Sequence, residues 1–249
     1  MAHAEPDALA VAGHLADRCA DVIGAATRSV ILHGSLATGE FRPGRSDIDL
    51  LTVIDGGLSD AQVAALDTLV RRADVRGASG VDLHVVTADV AGAPTRTPPM
   101  ELHVGRYDGS CVGVEVESHV AAAPDLPAEL SMARAEGRAL IGADPRDVVA
   151  PVPAAWVRQR GRHWLTTWLA HTDDAEDAAH MVLTACRIWH FAVEGRHSGK
   201  PTAARWALRR DGSLTAVRQA LHQYAADPAA PIDEAGIAKV LDTVLRETA

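Results

Sequence analysis

The chain is poor in lysine, cysteine and aromatic side chains. Lys200 and Lys239 are its only lysines, so nearly all of its positive charge is arginine. Acids outnumber bases 33 to 24, and the formal net charge is −9. The basic footprint that holds nucleic acid is missing, and no basic run carries a platform of stacking aromatics. An acidic chain suits a small cationic partner better, or serves solubility alone. Cys19, Cys111 and Cys186 are scattered. They offer neither zinc-ligand spacing nor a disulfide framework, and they fit a reducing cytoplasm. No stretch approaches the roughly 18 apolar residues of a membrane span. Residues 1–10, MAHAEPDALA, carry acids where a secretory leader has a basic head, so a cytoplasmic protein is expected.

What is present is a substantial core. Apolar residues make up 47% of 249, enough for one large domain or two small ones. The spacing of Leu9, Leu15, Cys19, Val22 and Ile23 predicts a helix over 7–26. Short β-type runs follow at 29–33, 47–54 and 81–87, with a serine-capped helix from Ser59. LATGEF (36–41) reads as a short helix and RPGR as a loop. Residues 91–118 hold three prolines and several glycines, and read as loops with short strands such as CVGVEVE. Residues 126–141 read as a helix. The stretch GADPRDVVAPVPAA then marks a boundary near residue 150. Beyond it the pattern is helical, at 155–170, 174–194, 202–210, 213–225 and 233–247. The expected fold is therefore α+β over 1–150, a mixed sheet flanked by helices, followed by an all-α bundle over 151–249.

The chemistry concentrates in HGSLATGEFRPGRSDIDLLTVI, residues 33–54. On a strand, Asp47 and Asp49 leave the same face, while Ile48 and Leu50 leave the other. Two crowded carboxylates repel unless a cation sits between them, and hard oxygens are what Mg²⁺ prefers. Asp82, on a neighbouring strand, is a third acid, enough for two ions roughly 3.5–4 Å apart in phosphoryl transfer. The Gly34-Ser35 turn offers backbone N–H groups and a hydroxyl to phosphate oxygens. His84 shares the Asp82 face without an assigned role. His33, His84 and His103 show no metal-ligand spacing along the chain.

The order Gly34-Ser35, Gly39, Ser46, Asp47 and Asp49 resembles the motif of the nucleotidyltransferase superfamily, with its polymerase-β-like fold. Residues 182–210, VLTACRIWHFAVEGRHSGKPTAARWALRR, resemble the helical domain of the aminoglycoside adenylyltransferases that act on streptomycin and spectinomycin. The carrying residues are Leu183, Thr184, Arg187, Ile188, Trp189, Lys200, Trp206 and Ala207. The resemblance implies AMP transfer from ATP·Mg²⁺ to a drug hydroxyl, with pyrophosphate leaving. It places Ser35 and Ser46 on the phosphates, Asp47 and Asp49 on metal, and Arg187 and Lys200 on the triphosphate. The active site would then lie in the cleft between the domains, and a monomer is expected. Asp82 falls where the family has a glutamate base. Being one methylene shorter, it works as a set-back base, through water, or mainly as a third metal ligand. For the drug, the resemblance points to Tyr107, Trp168, Asp173, Asp177 and His180, with Tyr107 standing where the family usually has tryptophan. Rival readings are an adenylyltransferase for another small molecule or a protein hydroxyl, and a non-catalytic antitoxin or sensor module.

Overall fold

The computed structural model describes residues 4–108 and 112–249. It divides into two compact units, Met1–Val152 and Pro153–Ala249. In the first, α1 (Ala4–Ile23) leads through a 3-10 turn into β1 (Thr27–His33) and α2 (Gly34–Ala37). Then come β2 (Ile48–Ile54), α3 (Asp60–Arg71), β3 (Gly80–Thr87), α4 (Ala88–Gly92), β4 (Met100–Asp108) and β5 (Val112–Val120). The unit closes with α5 (Leu126–Glu136), β6 (Arg138–Gly142) and α6 (Pro145–Val148). The six strands form one mixed sheet in the order β5-β4-β3-β2-β1-β6. β2 and β3 are parallel, with α3 as the crossover that parallel strands require. The other neighbouring pairs are antiparallel.

Alternation along the strands sorts the residues to two faces. Val30, Leu32, Ile48, Leu50, Val81, Leu83, Leu102 and Val104 pack with α1 and α3 residues such as Leu15, Cys19, Leu66 and Val70. Ile31, Leu51, Val53 and Val86 pack on the other face with Leu126, Leu130 and Val149. Truncating one such leucine to alanine costs about 2–5 kcal/mol. α3 begins with a capping box, in which Ser59 Oγ accepts from Gln62 N and Gln62 Oε1 accepts from Ser59 N.

Three local expectations fail. Residues 100–120 form two nine-residue strands rather than loops with short ones; Cys111, which opened the expected short strand, lies outside the described residues. The helix expected over 126–141 stops at Glu136. A Cβ on Gly137 would overlap the Ala133 carbonyl and press on Ile31, so only glycine lets the chain leave α5 into β6 at this point. The short helix begins at Gly34 and ends at Ala37, because Gly39, at φ +72°, turns the chain.

The second unit is helical: α7 (Ala154–Trp168), α8 (Ala178–Glu194), α9 (Lys200–Arg210), α10 (Thr215–Ala225) and α11 (Glu234–Glu247). α8 is its centre, burying Met181, Val182, Leu183, Ala185, Cys186 and Trp189. Gly161 lets α7 approach α8, since a Cβ there would sit 2.8 Å from Ile188. Burial pushes the Cys19 and Cys186 thiols up to about 12. Both are expected to resist alkylation at pH 8 in the native protein and to react fully in denaturant, as peptide mass mapping would show.

Candidate active site

Strand register assembles the site. His33, Asp49, Asp82, Gly105 and Glu115 are successive cross-strand partners on β1 to β5. The next rung on the same face is Ile31, Leu51, His84, His103 and Glu117. Apolar packing against α5 therefore gives way, within this face, to a polar field of acids and imidazoles. Asp47, immediately before β2, is close enough for its charge to act on the Tyr107 phenol.

The turn after β1 is shaped around Asp49. Gly34 has φ +67°, in the left-handed region that favours glycine. A Cβ on it would lie inside contact distance of Asp49 Oδ2. Ser35 Oγ is buried and has no hydrogen-bond partner among the described residues. A buried, unsatisfied hydroxyl in a glycine turn that packs against Asp49 is fitted to a phosphate oxygen near a cation. Ser46 is buried too, but its Oγ already accepts from Arg42 N at 3.1 Å and its carbonyl takes Ser79 N at 2.8 Å. Part of its capacity thus closes the 42–46 loop.

Asp82 is gripped on both oxygens. His103 Nε2 lies 2.9 Å from Oδ1, and Tyr107 Oη donates to Oδ2 at 3.4 Å. His84 Nδ1 is 3.4 Å from the same Oδ1, and the His84 and His103 rings stack at 4.5 Å. Burial would raise the Asp82 carboxyl. The charge of His84, the hydrogen bond and charge of His103, and the charge of His33 overturn that and hold it at about 2. Burial also pulls His84 down. The charge of Asp82 opposes that fall without reversing it. Burial opposes protonation of His103, but Asp82, Glu117 and Glu115 raise its pKa. Burial and then the charges of Asp82, Asp47 and Glu115 raise the Tyr107 phenol, so it remains a donor.

Gly105 makes the Tyr107 contact possible. A Cβ there would fall 2.4 Å from Tyr107 Oη, so the phenol lies back along β4 over the glycine. Gly105→Ala is expected to displace the ring and cost about 1–3 kcal/mol by overpacking. Tyr107→Phe removes one hydrogen bond and is expected to cost less, about 0.5–1.5 kcal/mol. Urea melts of the two variants check the order.

The remaining predicted residues lie in the second unit. Ile188 and Trp189 are packing residues, whereas Arg187 Nε donates to Ser198 O at 3.1 Å and so pins the loop that ends at Lys200. Lys200 opens α9. Trp168, at the end of α7, stacks on Trp164 at 5.7 Å and meets His180 edge-on at 5.8 Å. Loss of surrounding solvent, then the charges of Lys200 and Arg187, lower the His180 pKa, although the residue keeps an exposed edge. Asp173 and Asp177 do not lie within the start of a helix as expected, because α8 begins at Ala178. Asp177 is the residue before it, Asp173 is exposed in the turn closed by Asp174 N donating to His171 O, and the Asp174 carboxylate accepts from the backbone N–H groups of Glu176 and Asp177 in the next turn.

Residues 17–98 match the family model described as a nucleotidyltransferase domain. Residues 147–246 match that of the aminoglycoside adenylyltransferase C-terminal domain. Aminoglycoside (3'') (9) adenylyltransferases of Shigella flexneri and Escherichia coli are each 30% identical over 214 residues, covering 81% of this chain and 81% of theirs. The chain belongs to the aminoglycoside adenylyltransferase family. A spectinomycin adenyltransferase from Enterococcus faecialis, crystallised with ATP and spectinomycin, shares the fold with a TM-score of 0.71 at 16% identity. That likeness spans 94% of this chain and 97% of that one. As an aminoglycoside adenylyltransferase by family, the protein is an enzyme of nucleotidyl transfer. Among the described residues, no helix is long and apolar enough to cross a membrane.

Reading the residues one by one missed His103, Gly105 and the role of His84. In this adenylyltransferase His103 and Gly105 join Asp82 and His84 through β3–β4 pairing. The signal was the period-two pattern of residues 100–107, MELHVGRY, with Leu102 and Val104 on one face and His103, Gly105 and Tyr107 on the other.

Proposed function

We propose that the protein transfers AMP from ATP to a hydroxyl of an aminoglycoside or aminocyclitol antibiotic, streptomycin or spectinomycin or both, releasing pyrophosphate and conferring resistance. The single observation that carries this reading is the Asp49–Asp82 rung with the Gly34-Ser35 turn built against it. Asp47 and Asp49 are the ligands for Mg²⁺, and with Asp82 as a third acid the set suits two ions. Bound there, magnesium neutralises phosphate charge. Ser35 Oγ and the backbone of the turn hold phosphate oxygens, with Ser46 at the edge of the same loop. Arg187 and Lys200 are the cationic side chains for the triphosphate. The attacking hydroxyl is then presented in line with the α-phosphorus, and catalysis is largely positioning.

Asp82 fits an orienting or metal-holding role better than that of a strong base. Both of its oxygens are engaged. A carboxylate held near 2 also has little appetite for a proton at neutral pH. For the drug, Asp173 and Asp177 answer its positive charge, Trp168 and His180 offer an edge-to-face aromatic pair, and Tyr107 is the aromatic side chain beside Asp82. A different hydroxyl substrate is the second reading, favoured by the way Tyr107 is folded over Gly105 toward Asp82. We place the enzyme in the cytoplasm, as a monomer, without a nucleic-acid partner.

The test is to incubate the purified protein with ATP, Mg²⁺ and each drug, and to measure pyrophosphate and product mass beside an Asp47→Asn control. A drug heavier by one AMP group, absent in the control, is the expected result. No turnover with either drug, while ATP still binds in calorimetry, would discard the drug assignment.

A further inference from the structure

We propose that Asp82, His84 and His103 form a binding site for a divalent first-row transition ion of the zinc class, distinct from the magnesium ligands Asp47 and Asp49 and sharing only Asp82 with them. A carboxylate oxygen and two imidazole nitrogens lie within 4.8 Å of one another. His103 Nε2 and His84 Nδ1 stand 2.9 Å and 3.4 Å from the one oxygen, Asp82 Oδ1. A tetrahedron with metal–ligand bonds of about 2.0–2.1 Å has edges of about 3.3 Å, so both measured edges are already near closure. His84 Nδ1 is buried and has no hydrogen-bond partner among the described residues, so with the ring proton on Nε2 its lone pair is open to a ligand.

The surroundings agree with this assignment. His103 turns its other nitrogen, Nδ1, toward Glu117 Oε2 at 3.8 Å, and β5 holds Glu117 directly opposite His103 in the ladder. A carboxylate behind a metal-binding histidine fixes the ring and raises its basicity. The protein supplies three ligands and leaves one position open, and the nitrogen donors select zinc-class ions over magnesium, which prefers six oxygens. All three ligands sit on adjacent strands two residues apart or directly paired, so a rigid sheet holds them.

Occupancy would take Asp82 away from the nucleotidyl reaction, so zinc inhibits. That consequence rests on the AMP-transfer reading, whereas the binding itself does not. Metal-free protein, with no ATP or drug present, is therefore titrated with Co²⁺ as a coloured zinc surrogate. One equivalent is expected to give intense visible d–d absorption, displaced by Zn²⁺ and unaffected by excess Mg²⁺. His103→Gln and His84→Asn each weaken Co²⁺ binding by about 100-fold or more, and Glu117→Gln, on the exposed edge strand, by about 10-fold. Asp47→Asn retains the spectrum. Circular dichroism accompanies each variant; should a histidine variant not fold, Glu117→Gln carries the test. Absent absorption, absorption that survives the loss of either histidine or is unmoved in Glu117→Gln, or absorption lost in Asp47→Asn overturns the proposal. Failure of drug adenylylation leaves this spectrum untouched, so the two readings fail separately.

Discussion

Asp49→Asn is expected to lower AMP transfer by about 10³-fold or more, with the native fold retained. The amide keeps the side chain's size but removes a negative charge and one hard oxygen from the pair proposed to bind magnesium. A thousandfold loss corresponds to about 4 kcal/mol of transition-state stabilisation, within reach of one ligand in a site whose catalysis is mainly electrostatic. The metal-free protein gives the contrasting result. Asp49 is the direct cross-strand partner of Asp82, and like charges on one rung repel. Its neutralisation is therefore expected to leave the thermal midpoint unchanged or slightly higher without Mg²⁺. Adding Mg²⁺ and ATP should raise the wild-type midpoint by mass action and move the variant's much less. Steady-state kinetics and paired melts measure both effects. Activity within tenfold of wild type, with the magnesium-dependent shift intact, would remove Asp49 from the metal site.

The parts of the site that were legible in the residues are those made by neighbours along the chain. Asp49 and Asp82 could be assigned to one face because the strand period is two and the residues alternating with them in β2 and β3 are apolar, whereas Asp47, read onto the same strand, lies just ahead of β2. The helix capped by Ser59 was legible as well, and in the structure it is the crossover between these parallel strands. The illegible parts are those that depend on pairing. β5, VGVEVESHV, exposes polar residues on one face and leaves Val114 and Val116 open on the other, so it lacks the buried run that marks a strand. The prolines at 94, 98 and 99 end just before β4 and made the whole segment look like a loop. With β4 unrecognised, His103 could not be brought beside Asp82, and the Asp82–His84–His103 group stayed hidden. β6 was absorbed into the preceding helix because RALIG suits either state. The decision is made at Gly137, where the chain meets Ala133 and Ile31. In the second unit, helical spacing recovered each main helix, yet it began α8 at residue 174, taking in Asp177, where the helix starts at Ala178. Helix ends are set by local hydrogen bonds such as those of Asp174, which periodicity does not register.

Gly34→Ala is expected to be the most damaging substitution outside the acids, and Gly39→Ala isolates the reason. Both glycines sit in the left-handed region, at φ +67° and +72°. An alanine at either position bears a backbone cost of about 1–2 kcal/mol. The surroundings differ. A Cβ at Gly39 meets nothing within 4 Å among the described residues, whereas at Gly34 it would overlap Asp49 Oδ2 and crowd Asp49 Cγ at 2.7 Å. The strained turn in Gly34→Ala can relax only by rotating the Asp49 carboxylate or by lifting Ser35 from its place beside it. Either movement displaces a group by about 1 Å in a site that works by positioning, where such an error costs about 10²-fold. The two variants should therefore show similar losses in urea stability to within about 1 kcal/mol, while Gly34→Ala alone loses about 10²-fold or more in kcat/KM. Equal losses of activity in both would show that backbone strain, rather than the contact with Asp49, governs this turn.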